Sequence, residues 1–255
     1  MCENFAGVRT LLLTICYDGS GYHGWQIQSN AHTVQAEFQS GLAAVLGHLP
    51  DIKACSRTDT GVHAREFCIS FETSSPIPPE RLVYALNVNL PKDIAAISCR
   101  EVASGFHARY HSTGKRYEYV ILNSPLRSPF FEGRAHHFKY RLDEQLLGRA
   151  AAQFVGTYDF SAFCSAKTDV ADTVRTVRAA RVVRNGDIVS FFAEADGFLY
   201  NMVRIMAGTL LAVAAGRIGE NDIRDIILSK DRSRAGTTAP ACGLYLDKVF
   251  YEQEM

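Results

Sequence analysis

The chain has 255 residues, with 27 Lys and Arg against 27 Asp and Glu, and 47 % of it is hydrophobic. This average composition excludes a disordered tail, a collagen-like repeat and a coiled-coil rod, and the length allows one large domain or two modest ones with a real core. The longest apolar run, near residues 210–215, falls well short of the roughly 18 residues of a membrane span. No basic segment followed by an apolar one opens the chain, so no secretory leader is expected, and seven scattered cysteines without a C-x-x-C pair read as reduced thiols of a cytoplasmic protein.

The first strand is expected over residues 10–17 (Thr-Leu-Leu-Leu-Thr-Ile-Cys-Tyr), ended by Asp18-Gly19-Ser20-Gly21. Val34, Phe38, Leu42, Val45 and Leu46 recur at helical spacing behind Thr33, an N-cap candidate. Residues 52–55 and 67–71 are expected strands on either side of a loop. Pro78-Pro79 opens a helix carrying Leu82, Val83 and Leu86. Residues 94–102 and 116–122 follow as strands, the latter with Tyr117, Tyr119 and Ile121 on one face. Residues 124–137, with two prolines and a glycine, are the most linker-like stretch.

The second half repeats the mixture. A helix behind Asp143 carries Leu146, Leu147, Ala150, Ala151 and Phe154. Strands over 173–184 and 188–195 flank Asn185-Gly186, the strongest hairpin signal in the chain. A helix over 201–215 is stopped by Gly216, a short helix follows at 222–228, and a strand over 244–251 closes the pattern. Hairpins beside β–α–β stretches indicate an α+β class with a mixed, mostly antiparallel sheet and helices packed on it. The division expected is an N-terminal half, 1–106, and a C-terminal half, 107–255.

Several local patterns carry chemistry. Gly19-x-Gly21-x-x-Gly24 follows a strand and spells the dinucleotide fingerprint, but residues 25–32 intervene before any helix. That fingerprint works only when the helix starts within the glycines and faces the pyrophosphate, so a nicotinamide oxidoreductase rests here on spacing alone. The glycines instead suit a tight turn that carries Tyr22, His23 and Trp25 outward; the sole Trp then either stacks on a ligand or lids the core. Ser56-Arg57-Thr58-Asp59-Thr60-Gly61-Val62-His63-Ala64 sets Arg57 and Asp59 two apart in a loop, where Asp59 is either a turn-forming residue or a catalytic one. On the 201–215 helix Arg204 is the one charge on an otherwise apolar wheel. Buried without a partner it would cost several kcal/mol, so it needs a carboxylate, a phosphate or water, unless it snorkels from the first turn. Net charge is zero, but residues 101–150 hold eight basic against five acidic side chains. Residues 106–119 interleave His107, Arg109, His111, Lys115 and Arg116 with Phe106, Tyr110, Tyr117 and Tyr119. Cations for phosphates and rings for splayed bases suit RNA. His107 and His111 would form a metal pair only on a helix, and no third ligand accompanies them.

Taken together, Tyr17-Asp18-Gly19-Ser20-Gly21-Tyr22-His23-Gly24-Trp25-Gln26 and the Arg57–Asp59 loop resemble the tRNA pseudouridine synthase A family. Residues 106–119, Asp159-Phe160-Ser161-Ala162-Phe163, Asn201-Met202-Val203-Arg204-Ile205-Met206-Ala207-Gly208 and residues 238–246 match further family segments in order, with Thr60 in place of the usual Ala. The resemblance implies two related α/β halves forming one continuous sheet with a central cleft. It implies an isomerase that converts uridine to pseudouridine in the tRNA anticodon stem-loop, at positions 38, 39 and/or 40. Asp59 would be the catalytic carboxylate, Arg204 its partner and Tyr117 the residue against the target base that aids proton handling. Arg57 would take the place of the everted base, with Lys115 and Leu244 as further substrate contacts. A homodimer with tRNA as partner is implied, with no DNA, no membrane, no metal and no organic cofactor. Asp59 would attack the sugar anomeric carbon or the base carbon, or first abstract a sugar proton. A non-catalytic tRNA-binding or chaperone protein of the same fold is the alternative reading.

Overall fold

The computed structural model describes residues 7–165 and 172–252. Among the described residues ten strands and five helices make up the α+β class that the alternation of patterns implied. The first six residues, read above for a leader, lie outside the described residues. Among the described residues no helix is long and apolar enough to cross a membrane.

Two compact units divide the chain: one runs to Thr113 and takes in Lys248 onward, and the other is Gly114–Asp247. The first unit thus extends beyond residue 106 and takes in only the end of the C-terminal strand, from Lys248. The turn after Phe106 is tied to it: Ala108 N donates to Ser70 Oγ at 2.9 Å, and Tyr251 donates its hydroxyl to Ala108 O at 2.8 Å.

The first unit contains β1 (Arg9–Tyr17), α1 (Val34–Leu46), β2 (Lys53–Ala54), β3 (His63–Thr73), α2 (Pro79–Asn89) and β4 (Ile94–Val102). β1 lies between β3 and β4, antiparallel to both, and β2 pairs with β3. Register sets Leu11 opposite Phe71, Leu13 opposite Ile69 and Ile15 opposite Phe67, all buried, so apolar pairs fill one face. β3 starts earlier than Phe67 because Ala64 still pairs with Tyr17 beyond a bulge. Thr33 stands at the N-cap of α1 but its hydroxyl caps nothing. The helix amides of Val34 and Gln35 instead donate to the carbonyls of Gly24 and Trp25, at 3.2 and 2.9 Å, so the glycine loop itself caps α1.

The second unit contains β5 (Ser112–Leu122, from its third residue), β6 (His136–His137), α3 (Glu144–Ala152), β7 (Gly156–Asp159), β8 (Val174–Asn185), β9 (Ile188–Ala195), α4 (Met202–Ala214) and α5 (Ile223–Ser229); β10 (Leu244–Tyr251) begins in it. β9 pairs antiparallel with β5 and β8, β7 pairs antiparallel with β8, and β6 is parallel to β5. Asn185-Gly186 makes the expected hairpin turn, with Gly186 at φ +58°. Asp143 accepts from the amides of Gln145 and Leu146 and so caps α3. α4 is buried almost all round, as its apolar wheel requires. β5 departs from the one-faced strand expected, since Tyr117 through Leu122 are all buried; Glu118 tolerates this by accepting the Ser190 hydroxyl at 2.7 Å. The stretch read as a linker is a loop inside this unit. Asn123 closes it by donating to Phe138 O and Tyr140 O at 2.9 and 2.7 Å. All six cysteines of the described residues are free thiols, and burial pushes the Cys99 thiol up to about 12.

Candidate active site

The loop between β2 and β3 carries Arg57 and Asp59. Asp59 opens a tight turn whose main-chain bond runs from Val62 N to Asp59 O at 3.1 Å. Gly61, third in the turn, has φ +75°, the value a type II turn demands there. The loop is held from below. Thr58 O accepts from Trp25 N at 3.1 Å, Thr58 Oγ1 shares a buried hydrogen bond of 2.7 Å with Tyr17, and Gly61 N donates to Tyr22 O at 3.2 Å. His63 Nδ1 accepts from Gly19 N at 3.0 Å, on the other side of the turn.

This packing explains the glycines that spell the dinucleotide fingerprint. A β-carbon on Gly19 would run into the Val62 carbonyl and one on Gly24 into the Thr58 carbonyl, whereas Gly21 faces open space. The two glycines thus let one loop lie against the backbone of the other. Trp25 is 2 % exposed and packs at 4.2 Å on the Phe67 ring; Tyr22 is buried and donates to Asp93 Oδ1 at 2.7 Å. Both rings point inward, contrary to the outward turn expected, and only His23 is exposed. Trp25 is therefore the core lid rather than a stacking surface. Asp59 is left half-buried and Arg57 exposed on a loop with an anchored backbone.

In the second unit, Lys115 and Tyr117 lie on β5, Arg204 in the first turn of α4 and Leu244 at the start of β10. Tyr117 is 8 % exposed and meets Phe198 edge-on, ring centroids 5.0 Å apart, so it touches the loop that leads into α4. Lys115 is half-buried. Leu244 is 7 % exposed and follows a segment that packs along α4. There Gly236 N donates to Thr209 Oγ1 at 2.9 Å, and a β-carbon on Gly208 would strike the Thr237 carbonyl. Tyr119 donates to Pro240 O at 2.8 Å, and burial drives its hydroxyl far above the ordinary range.

Arg204 does more than snorkel. Its Nε donates to Ala239 O at 2.8 Å, its Nη1 donates to Asn201 Oδ1 at 2.8 Å, and its own carbonyl accepts from Ala239 N at 3.1 Å. Asn201 and the Ala239 carbonyl were not singled out from sequence; an Asn immediately before an apolar helix was the available signal. Asp159 is the half-buried carboxylate of an ion pair in the same unit. It accepts from Thr173 Oγ1 at 2.6 Å and Ser161 N at 3.0 Å, and Lys230 Nζ lies 2.8 Å away. Desolvation raises its pKa, but these donors outweigh that and hold the carboxyl well below the usual range. His107 and His111 share one turn, each accepting a backbone amide at Nδ1, from Arg109 and His107. Among the described residues, His, Cys, Asp and Glu make no cluster of three or more that could hold a metal ion.

A profile described as tRNA pseudouridine synthase matches residues 14–111 and 150–252. The chain belongs to the tRNA pseudouridine synthase A family. Relatives so named include those of Acetivibrio thermocellus, 47 % identical over 96 % of this chain and 100 % of the relative, and of Thermoanaerobacter sp. (strain X514), 44 % identical over the same shares. That of Halalkalibacterium halodurans is 43 % identical over 93 % of this chain and 90 % of the relative. The two matched stretches of the tRNA pseudouridine synthase profile contain Arg57, Asp59, Arg204 and Leu244; Lys115 and Tyr117 fall between them.

Proposed function

We propose that this chain, a tRNA uridine isomerase by its family, acts in the anticodon stem-loop at positions 38, 39 or 40 with Asp59 as its catalytic carboxylate. The observation that carries the reading is the Asp59 turn: a half-buried carboxylate on a loop locked to β1 and the Trp25 loop, with the exposed cation Arg57 two residues away. A fixed backbone under an acidic side chain is what a positioned catalytic group needs.

The reaction balances without any redox partner. The N1–C1′ bond breaks, a C5–C1′ bond forms, the C5 hydrogen leaves as a proton, and N1 gains one. The uracil must first leave the stack, at a cost of a few kcal/mol. Arg57 fills the vacated place and offsets that cost. Asp59 acts ionised, whether it attacks the sugar, attacks the base or takes a sugar proton. Arg204 supplies the opposite charge that favours the ionised form in a desolvated site. Tyr117 packs against the displaced base and handles the C5 proton, while Lys115 and Leu244 contact the substrate. The resemblance also supports a homodimer working in the cytoplasm.

The test is to incubate the wild-type protein with unmodified tRNA and map pseudouridine by mass spectrometry. The expected product lies in the anticodon stem-loop at positions 38, 39 or 40. No product, or product confined to another arm, overturns the proposal.

A further inference from the structure

Among the described residues only Asn201 and Lys230 hold a positive φ without being glycine, at +61° and +55°. The left-handed region is unfavourable for a side chain, and Asn tolerates it best. Lys230 follows the end of α5, where such a conformation is ordinary. Asn201 is different, because it stands before a helix. A capping Asn there takes an extended backbone and turns its side chain onto the first amides. Asn201 makes no such side-chain bond; only its carbonyl serves the helix, accepting from Ile205 N at 2.9 Å.

Its amide does something else. Oδ1 accepts from Arg204 Nη1 at 2.8 Å, and Nδ2 donates to Ser165 Oγ at 2.9 Å. The backbone beside it is pinned to the same segment, since Ser165 N donates to Tyr200 O at 3.2 Å. The opposite flank of the guanidinium is held by Ala239 O. We infer that Asn201 is a positioning residue that trades helix capping for a fixed orientation of the Arg204 guanidinium, with Ser165 as its anchor. An Arg side chain has four rotatable bonds, and a clamp at Nε and Nη1 removes that freedom before substrate arrives. The inference rests on the reading of Arg204 as the counter-charge of Asp59.

Asn201→Gly relaxes the backbone and deletes the amide, and Ser165→Ala removes only the anchor. Turnover and tRNA affinity are measured for both beside the wild type and Arg204→Met. Asn201→Gly should lower kcat at least tenfold, leave KM for tRNA within threefold, and melt no lower than the wild type. Ser165→Ala should lower kcat threefold to tenfold with the same KM. Full kcat for Asn201→Gly, with Arg204→Met inactive, overturns the inference and leaves the reading of Arg204 intact. Wild-type kcat for Arg204→Met, which removes the charge, overturns both. Should the glycine variant melt lower, Ser165→Ala decides, and an unchanged kcat there overturns the inference.

Discussion

Gly24 is pressed against Thr58: a β-carbon on Gly24 would run into the Thr58 carbonyl oxygen, the same oxygen that accepts from Trp25 N at 3.1 Å. The Asp59 turn therefore takes its position from Gly24 and Gly19, 35 and 40 residues earlier in the chain. Gly24 also has φ +85°, where a side chain is strained regardless of space. Gly24→Ala and Gly19→Ala should each lower unfolding free energy by about 2 kcal/mol or more and reduce pseudouridine formation. Gly21→Ala should stay within about 0.5 kcal/mol. Urea midpoints of the three variants check this, and equal losses at all three glycines would contradict it.

Asp159 gives stability a pH dependence of known sign. Its carboxyl is 24 % exposed and held below the ordinary range by Lys230, Thr173 and Ser161 against the opposing effect of burial. A depressed folded pKa contributes stability that is complete above the unfolded value, about 4, and that fades as pH falls below it toward the folded value. Asp159→Asn should therefore cost about 1–2 kcal/mol at pH 7, and the gap to the wild type should narrow at pH 3.5. Denaturant titrations at both pH values read it directly; a gap that widens on acidification would refute the assignment.

Much of this architecture was legible because local chemistry and burial agree. Asn185-Gly186 needed a positive φ and received it, Asp143 had free amides to cap, and the wheel of α4 had no polar face to expose. What was not legible depended on distant backbone. Thr33 is a capping residue by type, yet the amides it would serve are taken by Gly24 and Trp25. Trp25 was placed outward because a glycine loop ordinarily lies at the surface, but Tyr17, Phe38 and Phe67 surround its ring. β7 has only Thr157 and Tyr158 as strand formers, between Gly156 and Asp159, so pairing with β8 rather than propensity makes it a strand. Arg204 stood out as a lone charge with Asn201 three residues before it, but nothing local announced that the distant Ala239 carbonyl would hold its other flank.

Tyr117 separates packing from chemistry. Its ring is buried edge-on to Phe198, and a phenyl ring of the same shape preserves that contact. Tyr117→Phe should keep the thermal midpoint within a few degrees while slowing turnover by roughly 10²-fold or more, the usual worth of a general acid or base. Calorimetry paired with single-turnover assays tests this. Unaltered turnover would reduce Tyr117 to a packing residue.

The most direct measurement follows the hydrogen lost from C5 of uridine in tRNA labelled at that position, for the wild type and Asp59→Asn. The amide is isosteric and leaves the turn from Val62 N to Asp59 O unchanged. Asp59→Asn should release no label above the enzyme-free control while binding tRNA within about tenfold of the wild type. Release at the wild-type rate would contradict the role of Asp59.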